Sequence, residues 1–387
     1  MLAFVRNHGL YRSDVYLVDL GEDLDPLGEP RRLTHGNDVA SGLSWTADGG
    51  ALVYSAGTSY GAELWRLPVS NSGASRERLG LPSRARGGTS VAKSRGRLAF
   101  ARDSVEVSIF SQPLRSPPAG LVSPRPMIAS SGRDYNPQFS PDGSRIAFSS
   151  NRTGGDMGIF VADANGSNME RLYTAPGAHS GTPRWSPDGQ RVAFDSNLGD
   201  DANIFVISVN GGSALQLTFD PAADFIPSWS HDGEWVYFAS GRTGRSEIWK
   251  RCLGDDETFQ VTTNGGFLAF ESPDGRYLYY LKATSGPLYR MPVQGGDEEQ
   301  IVDSVFRRNI AVNEEGVYFI SPLDSADEAR YRIGKYDPRS EVVETIVVFP
   351  KGMQPSVGLS VSKEADAIAY SEFVRQESDL MLVEGFR

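Results

Sequence analysis

The turn tetrad Ser140-Pro141-Asp142-Gly143 returns as Ser186-Pro187-Asp188-Gly189, Ser230-His231-Asp232-Gly233 and Ser272-Pro273-Asp274-Gly275, with Thr46-Ala47-Asp48-Gly49 as an earlier variant. Each tetrad is a chain reversal. Pro fixes φ at the first turn position, Asp accepts hydrogen bonds from nearby amides, and Gly takes a positive φ without a Cβ clash. An aromatic residue stands directly before four of them (Trp45, Phe139, Trp185, Trp229), and Phe270 lies one place further back in the fifth. A β-rich triplet follows each: Leu52-Val53-Tyr54, Ile146-Ala147-Phe148, Val192-Ala193-Phe194, Val236-Tyr237-Phe238 and Leu278-Tyr279-Tyr280. A third apolar run (Ile159-Phe160-Val161, Ile204-Phe205-Val206, Ile248-Trp249) and a fourth (Arg171-Leu172, Gln216-Leu217-Thr218, Gln260-Val261-Thr262) complete a unit of four short strands.

The spacing of the units is nearly constant. Gly143 to Gly189 is 46 residues, Gly189 to Gly233 is 44, Gly233 to Gly275 is 42 and Gly275 to Gly316 is 41. Gly49 to Gly143 is 94, two periods, with Gly96 midway before Leu98-Ala99-Phe100. Past Gly316, Ser362-Lys363-Glu364-Ala365 and Ile368-Ala369-Tyr370 keep the pattern with a worn turn. Four strands per period of roughly 40 to 50 residues is the signature of propeller blades, whereas a sandwich has no reason to repeat its turn chemistry at fixed intervals. The expected fold is therefore all-β, a β-propeller of four-stranded antiparallel blades.

Ring closure leaves two arrangements open. Leu2-Ala3-Phe4 aligns with second-strand triplets, so the chain reads as cut at its start. Residues 357–361, 368–371 and 379–384 supply three strands of a last blade, and a propeller completes such a blade with an N-terminal strand. If Pro126-Met127-Ile128-Ala129 is that strand, residues 1–114 are incomplete N-terminal propeller blades and 115–125 a connection carrying Pro117, Pro118 and Pro124. Residues 126–387 are then a TolB-like six-bladed β-propeller. If residues 31–34 are the donor, the whole chain is a single eight-bladed ring.

The aromatic-Ser-Pro-Asp-Gly, Ile/Val-Ala-Phe, Ile-Phe/Trp and Arg/Gln-Leu-Thr sequence of each unit resembles the TolB-type, WD-like propeller repeat over almost the whole chain. Residues 181–194 and 227–249 are similar to propeller regions of large bacterial sensor or regulator proteins, and 378–384 to the ends of such chains. The resemblance implies non-covalent binding of a protein or peptide partner and an extracytoplasmic site, since TolB is periplasmic and binds proteins. The first residues lack the regions of a signal peptide, so the chain as written is expected to be cytoplasmic unless something precedes it, and no apolar run is long enough to insert in a membrane.

Little in the sequence points to chemistry. The formal charge of −11 concentrates after residue 130, which disfavours a nucleic-acid partner. Upstream, Arg76, Arg78, Arg84, Arg86, Lys93, Arg95, Arg97 and Arg102 form a basic island, read as a solvated loop face. The single Cys252 excludes an intrachain disulfide, and His8, His35, His179 and His231 stand too far apart in the repeat to suggest a three-histidine metal site. Gly57-Thr58-Ser59-Tyr60-Gly61 matches a nucleophile elbow only as letters, because it falls in a hairpin loop with no hydrolase domain beside it. Asp200 and Asp201 with Asn203, and Asp255 and Asp256 with Glu257, lack the ligand spacing of a calcium loop. Neither cofactor nor metal is expected, and the first reading is a non-catalytic binding scaffold, with a propeller enzyme (lyase or hydrolase-associated) acting at the channel mouth and a structural repeat fragment as the alternatives.

Binding is expected at the mouth of the channel, on loops that lead into the innermost strands or join second to third strands. Those loops bring Arg133, Asp134, Tyr135, His179, Asp224, Phe225, Phe267 and Arg308, with Arg152 and Arg242 in Arg-Thr-Gly contexts. The mixture of arginine and aromatic groups suits a rim for a peptide or glycan. An alternative reading makes Arg152 and Arg242 internal braces of the repeat.

Overall fold

The computed structural model describes residues 1–9, 12–35, 39–58, 61–69, 75–81, 85–92, 96–114, 124–153, 155–198, 201–323, 330–364 and 366–386. The 115–123 connection, Ser59, Tyr60, Asp200, Arg84, Lys93 and Arg95 lie outside the described residues. Every regular element within them is a β-strand, paired antiparallel within its sheet, so the all-β propeller class holds.

The chain divides into two compact units, residues 1–105 with 375–387, and residues 106–374. In the first, Leu2–Gly9, Arg12–Val18 and Arg31–Arg32 form a three-stranded sheet, and Val39–Trp45, Ala51–Thr58, Gly61–Pro68 and Glu77–Arg78 a four-stranded one. Strand Ala85–Ala92 pairs with the front of strand Arg97–Pro113, and Arg97 and Arg102 form ion pairs with Glu384 and Asp379.

In the second unit five sheets follow one another along the chain, each in the order of its four strands. The first sheet is Asp134–Phe139, Arg145–Ser150, Gly158–Asp163 and Glu170–Tyr173; the second is Ser180–Trp185, Arg191–Ser196, Asn203–Ser208 and Leu215–Gln216. The third is Asp224–Trp229, Trp235–Ser240, Glu247–Cys252 and Thr258–Gln260, and the fourth Leu268–Glu271, Tyr277–Leu281, Gly286–Pro292 and Glu299–Val305. The fifth is Ile310–Asn313, Gly316–Leu323, Arg330–Asp337 and Val342–Val348. A sixth sheet is ordered Pro355–Val361, Ala367–Glu384, Arg97–Pro113 and Arg125–Ile128.

The sixth sheet departs from expectation. Residues 379–384 do not supply its third strand. That place belongs to 106–113, while 375–384 continue strand Ala367–Glu384 into the first unit. The reason is local. Residues 372–378 (Glu-Phe-Val-Arg-Gln-Glu-Ser) contain no Gly, Pro, Asn or Asp, so nothing there reverses the chain and the strand runs 18 residues unbroken. Arg97–Pro113 likewise has no Gly or internal Pro over its 17 residues. The division at 105/106 and 374/375 therefore differs from the boundaries expected at 114 and 126.

Radial packing explains the triplets. Successive residues of a strand face opposite sides of the sheet, so a triplet serves two interfaces at once. Ile146 and Phe148 pack with Ile109 and Ile128 of the sixth sheet, and Ala147 between them faces Trp185 and Phe194 of the second. Val192 and Phe194 face the first sheet and Ala193 the third; Val236 and Phe238 face the second and Tyr237 the fourth. Val317 and Phe319 pack on the fourth sheet, Tyr318 and Ile320 on the sixth. Ile368 and Tyr370 return to the fifth sheet while Ala369 joins the cluster of the first. Both faces of these second strands are buried, and truncating Phe148 or Phe194 to Ala would cost about 3–5 kcal/mol.

The polar positions of the repeat are struts. In each tetrad the hydroxyl bonds the Asp carboxylate and accepts from the amide five residues on, as in Ser186 Oγ to Asp188 (2.5 Å) and Arg191 N to Ser186 Oγ (2.9 Å). The same pair of bonds recurs at Thr46, Ser140, Ser230 and Ser272. These bonds hold the Asp142 and Asp274 carboxyls down to about 2. The Leu-Thr ending the fourth strand is equally explained. Thr218 and Thr262 Oγ1 accept from Ile204 N and Ile248 N and donate to Asn203 and Glu247, while Gln216 and Gln260 bond the threonine carbonyls. Thr34, Val15, Asp14 and Arg32 repeat the device in the first unit.

Candidate functional site

The inner strands of the second unit contact one another in cyclic order, from 134–139 through 180–185, 224–229, 268–271, 310–313 and 355–361 back to 134–139. All run the same way, from a leading end, where the chain arrives from the previous sheet, to a turn end, where the tetrads sit. Three of them carry a bulge with a residue in the left-handed region, at Asn136 (φ 52°), Thr182 (φ 50°) and Ile226 (φ 57°). β-branched Thr and Ile in that region carry strain of roughly 1–3 kcal/mol. Gly358 (φ 108°) takes the corresponding place in the sixth sheet, and a Cβ there would lie 2.4 Å from Asn136 Cα, so the closest approach between the last and first inner strands requires glycine.

Each left-handed residue of the first three sheets is followed by proline, at Pro137, Pro183 and Pro227. An inner strand has a ladder partner on one side only, so proline removes a donor that would otherwise lack one. The next residue, Gln138, Arg184 or Ser228, is re-aimed by the bulge into the axial space. The aromatic after it binds back to the previous sheet. Trp185 Nε1 donates to the Gln138 carbonyl (3.1 Å) and Trp229 Nε1 to the Arg184 carbonyl (2.9 Å).

At the turn end these strands enclose a cavity of about 430 Å³. Each inner strand and the turn after it contributes: Gln138 and Phe139; Arg184 and Trp185; Ser228, Trp229 and His231; Phe270 and Glu271; Ile310, Asn313 and Glu314; Ser360 and Lys363. Glu271 is tied down, receiving Tyr237 Oη at 2.9 Å and lying 2.6 Å from His231 Nδ1. Burial, and after it the Glu271 charge, push the Tyr237 phenol up. Arg184 is 5% exposed, and burial, with repulsion from Arg308, pulls its guanidinium down to about 10, leaving it a cation at neutral pH.

The ten residues expected to form a rim lie at the other end of the strands or beside it, and none lines this cavity. Asp134, fully buried, accepts from Arg152 Nη2 (2.9 Å), Ser150 Oγ (2.5 Å) and Ser130 Oγ (3.0 Å). Asp224, also fully buried, takes Arg242 Nη2 on both oxygens at 2.9 and 2.8 Å, and the guanidinium lies over Trp249 at 4.7 Å. Burial pushes the Asp224 carboxyl up although Ser240 and Arg242 pull the other way. Phe225 and Phe267 meet edge to face at 5.4 Å, and Tyr135 and Arg133 are buried. His179 is half-buried, and burial pushes its imidazole down to about 4. Arg308, in the left-handed region at φ 62°, acts electrostatically on Asp195 and Arg184.

Sequence reasoning passed over Gln138, Arg184 and Ser228. Their signal is a chemically variable position inside a constant frame, between an invariant proline and an aromatic in three successive units. Among the described residues there is no group of three or more His, Cys, Asp or Glu able to hold a metal ion, and no helix long and apolar enough to cross a membrane.

Comparison with known proteins agrees with this architecture. The model of the TolB beta propeller domain matches residues 172–330. An uncharacterized protein of Agrobacterium fabrum is 29% identical over 141 residues, 35% of this chain and 47% of its own length, so the match spans about half of that relative. The crystal structure of TolB from Acinetobacter baumannii superposes with a TM-score of 0.50 at 14% identity, covering 89% of this chain and 82% of that one, a likeness of fold alone. A puromycin-hydrolyzing peptidase of Mycobacterium tuberculosis overlaps at a TM-score of 0.46 and 15% identity, over 80% of this chain and 53% of its own, which carries no inference about chemistry.

Proposed function

We propose, for a chain whose residues 172–330 match the model of the TolB beta propeller domain, that the second unit is a six-bladed ring holding a peptide segment of a partner protein at the turn end of its axial channel. The observation that carries this reading is the cavity itself. Six inner strands converge on it, Phe139, Trp185, Trp229 and Phe270 give it apolar walls, and Arg184, Ser228 and Asn313 add polar groups. Aromatic walls with a few convergent polar groups suit a ligand held without covalent change. In the same reading Asp134–Arg152 and Asp224–Arg242 are braces of the repeat, with the leading end shaped by folding. The propeller fold and the aromatic cavity together support a protein partner.

Placing a photo-crosslinking amino acid at Glu314 or Lys363, both exposed at the turn end, and separately at Arg307 or Thr174 at the leading end, tests the reading in cells. Adducts with a second protein, recovered uncleaved, are expected from the turn-end positions. Adducts from the leading end alone would overturn it.

A further inference from the structure

Two buried polar side chains lining the turn-end cavity each keep an atom without a hydrogen-bond partner. Arg184 Nη1 donates to the Pro183 carbonyl at 3.1 Å, but its Nε has no acceptor. Ser228 is 2% exposed and its Oγ has no partner. Among the described residues Arg184 forms no ion pair; Asp195 reaches it only as a longer-range attraction, opposed by Arg308. The two occupy equivalent places on adjacent inner strands, each between a proline and a tryptophan.

A buried cation without a counter-charge costs free energy that an incoming anion recovers, and a guanidinium presents the planar fork that matches a carboxylate. Ser228 Oγ can donate to the same group. A phosphate fits less well, because Glu271 and Glu314 line the same cavity and repel a doubly charged ligand. The Phe270 ring, itself part of the cavity wall, lies 5.2 Å from the Arg184 guanidinium and helps hold the fork in place. Resting on the peptide-binding reading above, we infer that Arg184 and Ser228 form a carboxylate subsite, taking either the chain terminus or an Asp or Glu side chain of the bound segment.

The test uses the full chain, immobilised, and three synthetic pentapeptide mixtures of randomised sequence. One lacks Asp and Glu and is C-terminally amidated, one lacks Asp and Glu but ends in a free carboxylate, and one is amidated with Asp and Glu allowed. Retained peptides are identified by mass spectrometry. The subsite predicts about tenfold or greater retention of a carboxylate-bearing mixture over the neutral one, and loss of that preference in Arg184→Gln with a smaller loss in Ser228→Ala. Which charged mixture is retained identifies the source of the carboxylate. Equal retention of all three, or a preference that survives Arg184→Gln, overturns the subsite while leaving peptide binding intact. No retention of any mixture overturns both. If Arg184→Gln fails to unfold cooperatively, Ser228→Ala and Arg184→Lys decide the matter by the same retention ratio.

Discussion

The two ends of the inner strands treat charge in opposite ways. At the leading end Asp134 and Asp224 are fully buried, yet each is met by an arginine and a serine hydroxyl, and each arginine lies against an aromatic ring. At the turn end Arg184 is as deeply placed but without a carboxylate, with Ser228 unsatisfied beside it. Charges that complete one another inside the fold brace it, and a charge left incomplete at a cavity is available to something outside. The residue types are the same at both ends; the partners decide the role.

The contrast is sharpest in stability. Asp224→Ala should lower the unfolding free energy by about 3 kcal/mol in urea titration, because Arg242 would stay against Trp249 having lost its nearest counter-charge, with Asp220 left at 3.8 Å. A loss below about 1 kcal/mol would remove the distinction between the ends. Acid comes next. His179 at the leading end has a folded pKa of about 4, below its ordinary value, so the unfolded chain binds the extra proton first. Its contribution is complete above about pH 6.5 and falls as the pH drops toward 4. The titration of its ring by NMR should show a midpoint well below 6, and His179→Gln should flatten the stability curve in that window.

At the turn end the tetrad carboxyls of Asp142 and Asp274, held near 2, keep their contribution above their unfolded value near 3.8 and lose it as the pH falls toward 2. Acid unfolding should thus weaken the leading end first. Ser140→Ala should move the Asp142 midpoint upward, read by carboxyl NMR, and lower stability by about 1 kcal/mol, because the buried hydroxyl also accepts from Arg145 N. The smallest effect on folding belongs to Arg184→Gln, within about 1 kcal/mol of the parent, since among the described residues it takes a donor from the Pro183 carbonyl and leaves no charge unpaired. A loss as large as that of Asp224→Ala would make Arg184 a brace like the others.

Much of this molecule was legible as sequence because its information is local. Ser-Pro-Asp-Gly makes its turn from its own atoms, Ser186 to Asp188 to Arg191, and Ile-Ala-Phe fits two interfaces by alternation alone. The same local logic failed at 372–384, where the missing signal was a turn that does not exist, and the strand ran on into the first unit. The turn-end cavity went unread for a different reason, since the residues singled out from the sequence lie toward the leading end. For Arg152 and Arg242 the sequence left rim and brace both open, and the fold places Asp134 and Asp224, 18 residues earlier in the chain, against them as partners.

By itself the sequence determined the all-β repeat, its turns and their period, because each turn is settled within about five residues and returns at a near-constant spacing. Which arginine is paired, which strand completes the sixth sheet, and where six strands leave a cavity were decided by tertiary structure. Those outcomes depend on residues tens to hundreds of positions apart, as at Gly358 against Asn136, whose distance no local pattern encodes.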